Sequence, residues 1–165
     1  MAERGADAVS LRQLARHAGV SHTAPAHHFA DRRGLFTALA TEGFMLLAAA
    51  LREARGEFLD AAMAYVGFAV HHPGHYAVMF DRSLVDPQDG ELLAAQRAAG
   101  SELVMGVESL DDPCAVSDLS GAQLAAWSLV HGFAMLWLND AVPPDMAAVD
   151  PITAVERMAR ILFAG

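Results

Sequence analysis

"VSLRQLARHAGVSHTAPAHHFADRRGLFTALATEGF", Val9 to Phe44, is the stretch that decides the fold. Leu11, Leu14, Ala15 and Ala18 recur at helical spacing behind Ser10, a residue type suited to capping a helix N-terminus. Gly19 ends that helix, and Ser21 caps a second one soon after, with Pro25 near its first turn and an end at about Phe29. Two short capped helices joined by Ala18-Gly19-Val20, the first with an apolar inner face and the second polar, form the pattern of a helix-turn-helix. The second helix offers His22, Thr23, His27 and His28, and the first offers Arg12 and Arg16, all able to reach phosphates or base edges. Its N-terminus, opened by Ser21, also directs backbone N–H groups at an anion.

Working outward, Asp31 caps a third helix that starts near Arg32. Its apolar positions Leu35, Phe36, Leu39, Phe44, Leu47 and Leu51 carry it to about Arg55, and that length suits a spacer between two modules. Breakers at His72-Pro73-Gly74, Asp86-Pro87, Asp111-Asp112-Pro113 and Val142-Pro143-Pro144 divide the remainder, and the spacing predicts helices over 57–71, 74–82, 88–109, 117–140 and 150–163. No run alternates with a strand's period of two, so an all-α fold is expected. The helix at 117–140 is apolar over most of its circumference. With its successor it is a candidate subunit interface, because one small domain offers limited cover.

Composition narrows the function. The 165 residues are 54% hydrophobic and 19% charged, which excludes a disordered chain. The formal charge is -9, yet residues 1–57 hold seven Arg against six acids, whereas residues 58–165 hold four Arg against fourteen acids. A polyanion is therefore expected at the N-terminal end only. Cys114 is the only cysteine, which excludes an intrachain disulfide or a multi-cysteine zinc site and fits a reducing cytoplasm. The first twenty residues lack a signal peptide's apolar core. Leu119 to Leu138 is interrupted by Ser120, Gln123, Ser128 and His131, so it reads as a buried helix and no membrane association is expected.

The chain from Val9 to Phe44 resembles the DNA-binding region of the TetR/AcrR family of transcriptional regulators. The resemblance is carried by Ala18-Gly19-Val20-Ser21, His28-Phe29, Arg32 and Leu35. Ala26 stands where most members carry Tyr, and only Met1 to Gly5 resemble the last turn of the family's first helix, so the helix-turn-helix is expected to be N-terminally truncated. "AWSLVHGFAMLWL", with Trp127, His131 and Gly132, resembles the family's Trp-His-Gly type of regulatory domain, as does "HHPGHYAVMFD" from His71 to Asp81. The resemblance implies a helix-turn-helix DNA-binding domain at 1–45 and a helical ligand-binding and dimerisation domain at 46–165. It implies a homodimer on a double-stranded DNA operator, with Arg12, Arg16, Ser21, His22, Thr23, His27, His28 and Arg32 at the DNA, and a small-molecule effector in the C-terminal domain.

The effector site expected in that domain draws on Met63, Met79, Phe80, Met105 and Trp127, soft or aromatic residues that accept ligands of varied shape, with His131 as one polar anchor. Without a ligand, each of these is ordinary core. His17, His22, His27 and His28 lack a carboxylate or thiol at ligand spacing, and Pro73-Gly74 breaks the register of His71, His72 and His75, so no metal or cofactor is expected. No nucleophile-base set, carboxylate pair or phosphate loop supports an enzyme. Two function classes follow: a ligand-responsive DNA-binding repressor, or a helical ligand-binding or interaction protein that has lost operator binding with its first helix.

Overall fold

Phe36, Ala40, Phe44, Leu47 and Leu51 recur at steps of three and four residues, and all five are buried along one side of a single long helix. The computed structural model describes residues 32–54, 57–110, 112–147 and 149–163. Within them lie seven helices and no strand: α1 (Arg32–Glu53), α2 (Phe58–His71), α3 (Pro73–Met79), α4 (Gly90–Glu108), α5 (Pro113–Ser117), α6 (Leu119–Leu138) and α7 (Pro151–Phe163). The fold is all-α, as the absence of alternating runs requires. The helix pair expected over residues 11–29 lies outside the described residues.

Helix starts follow local chemistry. Asp89 accepts hydrogen bonds from the Glu91 and Leu92 backbone N–H groups at the head of α4, and Asp118 accepts from Gly121 N–H at the head of α6. Asp150 accepts from Ile152 and Thr153 N–H ahead of α7, and its bond from the Thr153 hydroxyl holds the carboxyl below its ordinary value. Pro73 occupies the first turn of α3, where a missing N–H costs least. Two details differ from the expected elements. The helix expected over 74–82 stops at Met79, because Asp81 Oδ1 captures the Ser83 N–H at 2.9 Å and the Ser83 hydroxyl at 2.6 Å in a competing turn. Helix α5 is a short turn inside the expected break after Asp112.

α2 is the central element, packed against α1, α3, α4, α6 and α7. α1 runs unbroken across the expected boundary at residue 45 and lies against α3 and α4. Gly43 permits the approach of α3, since a Cβ there would sit 2.6 Å from Met79 Sδ and 3.1 Å from the Cβ of His75. The segment after α3 is tied to α1 by Thr37, whose hydroxyl donates to Arg33 C=O and accepts from Asp86 N–H, both at 2.8 Å. α1 is also the one described helix long and apolar enough to cross a membrane, but its apolar stripe is spent on these core contacts.

α6 buries Ala126, Val130, Phe133 and Ala134 on the core side only. Away from that side Met135 and Leu136 remain 42% and 51% exposed, and Ile161 on α7 is 80% exposed.

Candidate ligand-binding site

Small residues on facing helices open a cavity inside this arrangement. Ala61 and Ala62 on α2, Ala99 and Gly100 on α4, and Ala126 on α6 leave a space of about 800 Å³ among helices that otherwise pack closely. The volume falls in the range of small-molecule sites, roughly 300–1,000 Å³. α1 contributes Phe44 and Leu47, and the segment from Met79 to Pro87 forms a further side. The walls are chiefly apolar, with Tyr65, Gln96, Ser120 and Gln123 as neutral polar groups and Arg82 as a cation. No carboxylate lines the cavity among the described residues.

Of the residues expected at an effector site, Met79, Phe80 and Trp127 line this cavity; Met63, Met105 and His131 do not. Met63 is half-buried and packs against the core on the same helix as the cavity-facing Ala61, Ala62 and Tyr65. Met105 is 52% exposed, turned away by its helical phase while Leu103, Val104, Gly106 and Val107 face inward. His131 stands one layer behind the wall, with its ring 4.4 Å from Phe80 and 5.9 Å from Trp127 between centroids.

The polar contact of His131 is to protein. Its Nδ1 lies 2.8 Å from the Tyr76 hydroxyl and 3.1 Å from the Tyr65 hydroxyl, and the two hydroxyls are 3.4 Å apart. Burial lowers the His131 pKa and raises those of both tyrosines, so the imidazole is neutral and both phenols keep their protons at pH 7. In the tautomer protonated at Nε2, Nδ1 offers its one lone pair to a phenol O–H inside the core. Tyr65 belongs to both this triangle and the cavity wall, so it connects His131 to any occupant.

Sequence reasoning did not single out Tyr65, Tyr76, Arg82 or Gln96, and named Ser120 and Gln123 only as interruptions of an apolar run. The chain holds only two tyrosines, and both meet at His131; that scarcity was the available signal.

Residues 58–162 match the family described as "Tetracyclin repressor-like, C-terminal domain", and residues 1–39 match "Bacterial regulatory proteins, tetR family". The chain belongs to the TetR family. It is accordingly a DNA-binding transcriptional regulator with a helical C-terminal domain. A solved structure described as "Structure of a protein with unknown function from Rhodococcus sp. RHA1" is similar to this TetR-family chain, with 31% identity and a TM-score of 0.69 over 99% of this chain and 87% of that one. A comparison with curated proteins returns no match. Of the residues expected at DNA, Arg12, Arg16, Ser21, His22, Thr23, His27 and His28 lie outside the described residues. Arg32 opens α1, exposed, with its guanidinium carbon 5.4 Å from the centre of the Phe36 ring.

Proposed function

We propose that the protein is a ligand-responsive repressor that leaves its operator when a small apolar effector fills the cavity. The observation that carries this is the cavity's position. Phe44 and Leu47, on the core stripe of α1, form part of its wall, and the first turns of α1, Arg32 to Leu39, are the end of the family's DNA-binding match at residues 1–39. An occupant pushing on these two side chains displaces the helix on which the DNA-binding segment rides, and this changes the separation of two recognition helices in a dimer. In this proposal residues 1–45 hold the operator and residues 46–165 bind the effector and dimerise. Ser21 to Phe29 enters the major groove, and Arg12, Arg16, Thr23, His28 and Arg32 contact phosphates.

Dimerisation is supported by the bare face of α6. Ala125, Ser128 and Gly132 lie beside the exposed Met135 and Leu136, a surface on which a second helix can seat closely. Trp127, His131 and Gly132 fit the Trp-His-Gly regulatory type, with His131 setting Tyr65 at the wall rather than touching the effector. The site of action is the cytoplasm, and no catalytic step is assigned. The effector is chiefly apolar, because the walls are.

Selection of a random duplex library with the full chain, followed by gel shift at low salt, tests this. The expected result is a roughly palindromic site with half-sites about 34–36 Å apart, bound by two chains. Binding no tighter than to random DNA would overturn it.

A further inference from the structure

Arg82 is the only charged residue on the cavity wall among the described residues, in a domain otherwise rich in acids. It is exposed at the segment following α3 and makes no ion pair or hydrogen bond among the described residues. Its nearest acids in sequence are engaged elsewhere. Asp81 Oδ1 holds Ser83, and Asp86 Oδ1 accepts the Gln88 N–H at 3.0 Å. A guanidinium left without a partner at the edge of an apolar chamber offers a two-pronged donor to a planar anion.

We propose that the natural ligand is an apolar monocarboxylate, with its tail in the chamber and its carboxylate on Arg82. This rests on the effector cavity proposed above and adds the ligand's charge. An amine is disfavoured, since no acid lines the walls to receive it. A phosphate dianion would carry a second negative charge that no other cation on the wall offsets among the described residues. The neutral groups Gln96, Ser120 and Gln123 can hydrogen-bond the body of the ligand without favouring either charge.

The discriminating feature is the order of affinities. In an apolar chamber without a cation, an ionised acid binds more weakly than the matching alcohol, because the carboxylate resists desolvation. Arg82 reverses that order. Calorimetric titration of the full chain with octanoate, 1-octanol and octylammonium at low salt therefore tests the proposal. Octanoate is expected to bind about fivefold or more tighter than 1-octanol, as suits a partly exposed ion pair, with octylammonium weakest. Arg82→Gln, at an exposed position without a partner, is expected to place 1-octanol ahead of octanoate. Raising salt is expected to shrink the wild-type preference. If 1-octanol binds the wild type as tightly as octanoate, or Arg82→Gln keeps the octanoate preference, the carboxylate assignment falls while the cavity stands. If none of the three binds, the effector cavity falls and the assignment with it.

Discussion

The Tyr76 hydroxyl lies 2.8 Å from His131 Nδ1 and joins α3 to α6 across 55 positions of sequence. Tyr76 is 1% exposed, so its hydroxyl has little water to turn to when the imidazole is removed. Tyr76→Phe deletes the donor while Tyr65 still reaches Nδ1 at 3.1 Å. The expected loss is about 0.5–1.5 kcal/mol of unfolding free energy, the net worth of one hydrogen bond. Urea titration of the two proteins, with an unchanged slope, reads it directly.

The same triangle sets an acid sensitivity. Burial lowers the His131 pKa below its ordinary value of 6.5. Above that value folded and unfolded chains are both neutral at this residue. Below it the unfolded chain binds a proton that the folded one resists, so stability falls as pH drops from 7 towards 5. His72, also lowered by burial first and by His75 and His71 next, acts in the same direction. The thermal midpoint of the wild type is expected to fall over this range, and His131→Gln is expected to lessen the fall. An identical pH profile for the variant would contradict the assignment.

Asp140 carries a φ of 52° at the end of α6, in the region that favours glycine. Ala141 N–H donates to Leu136 C=O at 2.9 Å and Asp140 N–H donates to Trp137 C=O at 3.1 Å, the paired bonds of a Schellman cap. Asp140→Gly relieves the backbone cost, and an increase of about 0.5–1 kcal/mol in unfolding free energy is expected. Chemical denaturation checks it.

Leu136 is 51% exposed on the bare face of α6. In a monomer Leu136→Arg would be nearly neutral, whereas in a helix-to-helix interface it places an unpaired charge among apolar groups. Sedimentation at micromolar concentration is expected to show a dimer for the wild type and a shift to monomer for the variant. A wild-type monomer would remove the interface on α6.

The fold was legible because it rests on short-range patterns. Phe36 to Leu51 kept its stripe in α1, and the break at Pro73 fell where the α2 helix ends. The cavity was less so, because it is an absence shared by several helices. Ala61, Ala99 and Gly100 look like filler in the sequence, and only their meeting across α2 and α4 opens the space. His131 stood out as a polar residue on an apolar helix, but its partners Tyr65 and Tyr76 lie 66 and 55 positions away, beyond any local pattern. Met105 was conspicuous for its chemistry, yet helical phase alone turns it outward.

The central claim is that the cavity and the DNA-binding segment are coupled through α1. The direct measurement is operator affinity of the full chain, by fluorescence anisotropy, with and without saturating 1-octanol whose occupancy has been fixed by calorimetry. Gly100→Trp, which fills the chamber from α4, serves as the reference. Occupancy is expected to weaken operator binding by about 5- to 150-fold, a coupling of about 1–3 kcal/mol, with a much smaller octanol effect on Gly100→Trp. An operator affinity unchanged in the wild type while 1-octanol occupies the cavity would contradict the account.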